Sequence, residues 1–266
     1  MTGRVDGKVA LIMGGGQTPG ETIGNGRATA LVLAREGARV VVVDRSLASA
    51  QDTVAMIQKD GGEAIAYAAD VVEESQVRAA VEECVRRFGR IDLLQNNVGA
   101  SLALDDAPAT ELTVEAFDRI YAVNLRGMWL ACKHALPQMR TQASGSIVNI
   151  SSIAARTPYP YVGYKTTKVA VIGLTENLAA HNAQFGIRVN TILPGLMNTP
   201  MAIEARVAAG GDRSEIIAAR DKQVPLGRKM GTGWDVAYAS LFLHSDEAQF
   251  ITGVSLPVDG GSSVGR

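Results

Sequence analysis

The 266-residue sequence predicts a doubly wound parallel α/β sheet, with about seven strands and helices on both faces. Two observations predict it. Short, near-continuous apolar runs alternate with helical patterns along the whole chain, as in strands buried on both faces. Six glycines (Gly14, Gly15, Gly16, Gly20, Gly24 and Gly26) crowd the turn between the first strand and the first helix.

The elements follow in order. Residues 8–13 form an apolar run that reads as a buried strand, and 39–43 is a second, rich in valine. Between them, Ala28, Leu31 and Val32 mark a helix that Gly37 stops. Ala50, Val54 and Ile57 mark the next helix, and 64–68 is a third strand. Val77, Ala80, Val81, Cys84, Val85 and Phe88 recur at helical spacing, Gly89 ends that helix, and 91–95 is a fourth strand. Helices are predicted over 113–139, with Thr113 as N-cap and Pro137 near the end, over 161–183 and over 233–244. Strands are predicted at 146–151, 187–193 and 254–258. Residues 195–232 are the least regular stretch, and nothing resembling a linker divides 1–266, so one domain is expected.

Composition excludes several classes of function. Lys plus Arg is 26 and Asp plus Glu is 27, so no overall basic field exists to hold a nucleic acid. The cysteines, Cys84 and Cys132, form no disulfide framework, and His134, His181 and His244 have no ligand spacing, so no metal is expected. The acidic pairs at 73–74, 82–83 and 105–106 read as solvated faces. The first apolar run is too short for a signal sequence or a membrane span, so a cytoplasmic protein is expected.

The glycine-rich turn lies at the carboxyl edge of a parallel sheet, where ligands bind. Glycines there let the backbone approach a pyrophosphate, and the next helix offers free N–H groups and a partial positive charge. Asp44 ends the second strand, where a dinucleotide site wants a carboxylate for ribose hydroxyls. A carboxylate repels a 2′-phosphate, so NAD is expected rather than NADP. Arg45 reads either as a guanidinium for that phosphate or as a solvated surface residue.

Further along, Tyr164 and Lys168 have Tyr-x-x-x-Lys spacing, Asn96, Asn97, Val98 and Gly99 follow the fourth strand, and Asn124 sits in Val-Asn-Leu-Arg-Gly. Ser151 and Ser152 end the fifth strand, Pro194 and Gly195 the sixth, and Leu256 to Gly261 close the chain with Leu-Pro-Val-Asp-Gly-Gly. Together, over nearly the whole chain, these motifs resemble the short-chain dehydrogenase/reductase family. The resemblance implies a Rossmann-type fold and hydride transfer between NAD and a secondary alcohol or its ketone, a CH–OH donor reaction. It implies Tyr164 as general base or acid, Ser152 orienting the substrate oxygen, Asn124 anchoring a relay water, and Lys168 holding the nicotinamide ribose. Lys168 stands one helical turn from Tyr164, where its ammonium, together with the charge of an oxidised nicotinamide, favours the phenolate and lowers the phenol from its usual ~10 toward neutrality. Implied cofactor contacts are Gly14, Gly24, Asn25, Gly26, Asp44, Asp70, Val71, Asn97, Gly99, Tyr164, Lys168, Pro194, Gly195 and Thr199. Asp70 and Thr199 have a local alternative as helix caps. The family also implies a homotetramer and a substrate lid over 196–230, with Leu102, Ala103, Tyr159 and Tyr161 nearby. Met197, Met201 and Ile203 suggest a partly apolar pocket. Arg206, Arg213 and Arg220 read either as binders of an anionic group or as solvated surface arginines.

The chain departs from the family pattern in places. Tyr161 with Lys165 also fits Tyr-x-x-x-Lys, but Thr166 and Thr167 favour Tyr164. Ser151 lies at the usual spacing before the tyrosine and Ser152 one residue nearer; Ser152 is preferred, with a deletion in the following loop. The glycine turn is longer than the family's by about six residues, a common kind of surface insertion, and Met13 replaces a threonine. Thr18 or Thr22 could give extra pyrophosphate contacts there, and Glu21 is expected to point away. Val98 replaces a common alanine. Two other readings share these motifs, an NADP-linked ketoreductase and a non-catalytic dinucleotide sensor or scaffold.

Overall fold

The computed structural model describes residues 3–264. Seven parallel strands make one sheet in the order β3-β2-β1-β4-β5-β6-β7. They are β1 (Val9–Met13), β2 (Arg39–Asp44), β3 (Ala64–Ala68), β4 (Leu93–Asn96), β5 (Gly145–Ile150), β6 (Ile187–Pro194) and β7 (Ser255–Val258). The helices are α1 (Asn25–Arg35), α2 (Leu47–Lys59), α3 (Glu74–Phe88), α4 (Val114–Tyr121), α5 (Gly127–Gln142), α6 (Val162–Asn182), α7 (Pro200–Ala208), α8 (Arg213–Asp221) and α9 (Gly233–His244).

The central strands read as continuous apolar runs because alternate residues feed two cores. Val9, Leu11 and Met13 of β1 and Val41 and Val43 of β2 pack with residues of α3 and α5. Ala10 and Ile12 of β1 and Val40 and Val42 of β2 point the other way, against α1, α2 and α9. Each buried aliphatic side chain contributes roughly 1.5–3 kcal/mol. Exposed ion pairs such as Arg35–Asp60, at 3.0 Å and about half exposed, contribute little by comparison.

Strand order places the site. β1 lies between β2 and β4, so connections leave its carboxyl end in opposite directions and open a crevice there. The register pairs Met13 with Val43 and with Asn96, which brings Gly14, Asp44 and Asn97 to one edge.

Three elements differ from expectation. The helix expected over 113–139 is two helices joined by a π turn at Ala122–Arg126. Pro137 lies inside α5, which continues to Gln142. The irregular stretch at 195–232 holds α7 and α8, where Pro200 takes the first helical position of α7 and the Asp212 side chain caps α8. No helix among the described residues is long and apolar enough to cross a membrane.

His244, at the end of α9, is 1% exposed and bridges Ser146 Oγ and Gln95 Oε1 at 3.1 Å each. Burial, helped by the nearby Arg188 charge, pushes its pKa down to about 3. The folded protein therefore refuses a proton that the unfolded chain accepts below its ordinary value of 6.5. Stability from this group is complete above 6.5 and is lost as pH falls toward about 3. Denaturant titrations should register a loss of about 2 kcal/mol between pH 6.5 and 5 that His244→Gln lacks. Equal losses in both proteins would refute the assignment.

Candidate active site

The glycine turn begins with Gly14 at φ 80°, a left-handed conformation that suits glycine. Gly14 N–H and Gly15 N–H both donate to Val43 O, which folds the chain over the end of β2. Asp44 holds the turn: its carboxylate accepts from Gly16 N–H at 3.2 Å and from Ser46 N–H at 3.0 Å. α1 starts with Gly24 as N-cap, no side-chain cap and no acid in its first turn, so its N-terminus keeps its positive end. A Cβ on Gly26 would stand 1.9 Å from Gly14 O and 2.6 Å from Asn97 Nδ2, so helix, turn and the end of β4 meet there without a side chain. Asn97 Nδ2 donates to Gly14 O at 3.2 Å. The side-chain oxygens of Asn25, Asn97 and Asn198 are buried without a hydrogen-bond partner among the described residues. Buried polar atoms need partners: the bare helix terminus offers N–H donors that suit a phosphate, and these amide oxygens can accept only from donors of a ligand, such as hydroxyl or amide groups.

The rest of that edge is assembled from loops. Asp70 Oδ1 accepts from Val72 N–H, which turns the chain after β3, and Val71 packs over Gly127. A Cβ on Gly99 would stand 2.9 Å from Lys168 Nζ, so Gly99 brings the β4 loop against α6. Gly195 N–H donates to Val258 O just past Pro194. Thr199 is buried at the N-cap of α7 and makes no cap bond, so its hydroxyl is not spent on the helix. Arg45 is exposed.

Tyr164 and Lys168 share one face of α6, and the ammonium lies 5.5 Å from the centre of the phenol ring. Lys168 is 2% exposed and donates to Ile150 O at 2.8 Å. Burial pushes its pKa down to about 8, so it remains mostly cationic at neutral pH. Burial pushes the Tyr164 phenol the other way, up to about 12, against a smaller lowering by the Ser152 hydroxyl. The expected lowering toward neutrality is therefore absent from the protein's own groups, because desolvation outweighs them. The two serines separate clearly. Ser151 Oγ is buried and donates to Lys168 O at 2.7 Å, while Ser152 stands beside the phenol and caps the next turn at Ala154 N–H. The Tyr161 and Lys165 pair also resolves. Lys165 Nζ donates to Ala154 O and Thr157 O, pinning the β5–α6 loop, and Tyr161 precedes α6.

Asn124 sits in the π turn, wholly buried. Its amide accepts from Ala100 N–H at 2.8 Å and donates to Ala100 O at 2.9 Å, which locks the β4 loop to the helix. The residues thus gather a hydroxyl, a phenol, an ammonium and a bare helix N-terminus along the carboxyl edge of the sheet.

The family model described as Enoyl-(Acyl carrier protein) reductase matches residues 21–263. The chain is 38% identical over 266 residues, all of both chains, to the 2,5-dichloro-2,5-cyclohexadiene-1,4-diol dehydrogenase of Sphingobium indicum. It belongs to the short-chain dehydrogenase/reductase family. The crystal structure of a chain assigned to these short-chain dehydrogenase/reductases from Burkholderia xenovorans superposes with TM-score 0.93 at 39% identity, covering 98% of each chain. Levodione reductase of Leifsonia aquatica is 36% identical over 265 residues, 98% of this chain and 96% of the relative. This chain is thus an oxidoreductase of a family that uses a nicotinamide dinucleotide.

One feature of this short-chain dehydrogenase/reductase was missed by sequence reasoning. Asp106, taken for a solvated residue, is 6% exposed and accepts from Gly163 N–H, Tyr164 N–H and the Ser101 hydroxyl, each at 2.9 Å. It caps α6 and fixes where Tyr164 begins its turn. Only its distant partners, more than fifty residues on, distinguish it from its exposed neighbour Asp105. The lengthened turn at 17–23 was legible as an insertion, and the structure shows what holds it. Gln17 staples it, accepting from Gly24 N–H and donating to Thr22 O. Thr18 is exposed, and Glu21 points away from α1 to Arg213 of α8, which also pairs with Glu204 of α7. The extra residues therefore lean on α7 and α8. Met197 and Ile203 pack inward into small apolar clusters, and Met201 is 48% exposed.

Proposed function

We propose that this chain transfers hydride between NAD and a secondary alcohol or its ketone, with Tyr164 as general base or acid. The observation that carries this reading is the convergence of the Ser152 hydroxyl and the Lys168 ammonium on the Tyr164 phenol, at the open edge beside Gly99. A bound nicotinamide dinucleotide supplies the hydride acceptor or donor and, when oxidised, a positive charge. The chain does the rest. Ser152 orients the substrate oxygen, and Tyr164 Oη takes or gives the proton. Lys168 keeps a cation beside the phenol and holds the nicotinamide ribose. Asn124 keeps the relay side of the cleft in place; its amide is committed to Ala100, so a relay water meets the π-turn backbone. Gly14, Gly24, Asn25, Gly26, Asp70, Val71, Asn97, Gly99, Pro194, Gly195 and Thr199 are the residues that would hold the dinucleotide. The relatives named for a cyclic diol and for levodione support cyclic substrates among the candidates.

NAD is the preferred partner because the Asp44 carboxylate stands at the end of β2, where a 2′-phosphate would meet its charge. A secondary-alcohol panel with both dinucleotides, followed by reduced-nicotinamide absorbance, tests both parts. Wild type should favour NAD by at least tenfold in kcat/KM, and Asp44→Ala should narrow that margin by roughly tenfold. A preference for NADP would overturn the Asp44 argument. Dinucleotide binding with no turnover of any alcohol would favour a sensor or scaffold. The reading carries with it a cytoplasmic homotetramer with α7 and α8 as substrate lid. Exposed Val114, Phe117 and Tyr121 on one face of α4, with Trp129 of α5, support burial against another copy.

A further inference from the structure

The two helices beside the cleft carry three arginines, and the structure treats them differently. Arg213 is neutralised: its guanidinium meets Glu204 at 2.6 Å and Glu21 at 3.5 Å. Arg206 and Arg220 have no carboxylate within 4 Å among the described residues. Neither is a freely solvated surface arginine, since both are half-buried. Helical spacing puts Arg206 on the face of α7 that carries Ile203, and Arg220 on the face of α8 that carries Ile216 and Ile217. Those residues pack together with Met230, and Arg220 Nε donates to Met230 Sδ at 3.3 Å. Asp221, next along the chain, turns its carboxylate to Met230 N–H instead.

The two guanidinium groups lie within range of each other's charge and of Tyr159, and Arg206 Nη1 also donates to Ala202 O of its own helix. Each acts on the Tyr159 phenol through its charge, and Arg206 repels Arg220. Burial pushes Arg220 down to about 10, which leaves it a full cation at neutral pH. Tyr159 in turn lies 5.4 Å, centre to centre, from the ring of Tyr164. Two like charges brought together and partly desolvated cost free energy, and an anion between them relieves both costs.

We infer that Arg206 and Arg220 form an anion-binding wall of the substrate site, so that the substrate is a secondary hydroxy acid or its keto acid, with the carboxylate beyond Tyr159 from the reacting carbon. This rests on the oxidoreductase reading above and names the substrate class for the same site. Arginine suits the task because its fork accepts a carboxylate in two parallel hydrogen bonds. Tyr159 then separates the end that reads charge from the end that reacts.

The test measures kcat/KM for a graded series of secondary hydroxy acids, beginning with 3-hydroxybutanoate and 4-hydroxypentanoate and including cyclic members, each against its methyl ester. Wild type should prefer at least one acid over its ester by tenfold or more. In Arg206→Met and Arg220→Met that acid-to-ester ratio should fall by about tenfold, and Arg220→Lys should keep part of it. Because the ratio is taken within one protein, any general loss from misfolding cancels. Dinucleotide affinity is measured in the same variants. Esters and neutral alcohols oxidised as well as the acids would overturn the inference and leave the oxidoreductase reading standing. So would a loss confined to dinucleotide affinity. No oxidation of any member with either dinucleotide would overturn the oxidoreductase reading, and the inference with it.

Discussion

Tyr164→Phe is expected to lower kcat by about a thousandfold or more while leaving dinucleotide affinity within about threefold of wild type. The substitution removes one oxygen from a half-buried side chain and leaves the α6 backbone, its Asp106 cap and the Lys168–Ile150 contact untouched. Binding and chemistry should therefore separate, which fluorescence titration of reduced dinucleotide alongside steady-state rates will measure. The raised phenol adds a directional expectation. Burial holds Tyr164 protonated at neutral pH, up to about 12, so it stands ready to donate a proton to a ketone being reduced. Ketone reduction should be flat around neutral pH. Alcohol oxidation, which needs the proton gone, should climb with pH. Retention of more than a tenth of the wild-type rate in Tyr164→Phe would remove the phenol from the chemistry.

Gly26→Ala should weaken dinucleotide binding by at least tenfold and lower the unfolding midpoint. Two effects oppose each other. Alanine gains up to about 1 kcal/mol over glycine inside a helix. At Gly26 the new methyl would stand 1.9 Å from Gly14 O, so the turn must move, and overpacking of this kind costs roughly 1–3 kcal/mol. The clash wins, and its relief falls on the turn that cradles the phosphates. Gly173→Ala is the matched control: it is an exposed glycine of α6 with nothing within 4 Å of its added Cβ. It should raise stability by up to about 1 kcal/mol and leave binding alone. Equal behaviour of the two variants would mean that the close approach at Gly26 does not matter.

Much of the fold was legible because the signals were local. Alternate residues of β1 and β2 feed opposite cores, so each strand had to be apolar throughout, and Gly37 and Gly89 had to close the turns after α1 and α3. The break between α4 and α5 was not legible. Ala122 to Arg126 has ordinary helix-forming residues, and the π turn follows from clamping Asn124 to Ala100, which is distant in sequence. α7 and α8 were missed for a related reason: their apolar faces are short and bury a small cluster of their own.

The site divides along the same line. Residue order alone placed the glycine turn, Asp44, the serine pair and the Tyr164–Lys168 spacing, because each belongs to one strand end or one helical turn. Spacing left Ser151 and Ser152 open, and only the packed α6 backbone, accepting from Ser151 at Lys168 O, separates them. The same packing raises the Tyr164 phenol as far as the protein's own groups go, since desolvation depends on everything around a group rather than on its partner one turn away. Asp105 and Asp106 are chemically identical neighbours, yet one lies on the surface with Arg119 and the other is buried at the start of α6. Arg206, Arg213 and Arg220 are likewise alike in sequence and were told apart only by which of them the fold supplied with carboxylates. Local spacing specified the elements and the chemistry at their ends; partners brought together from distant segments decided which identical side chains are neutralised, buried or left facing the cleft.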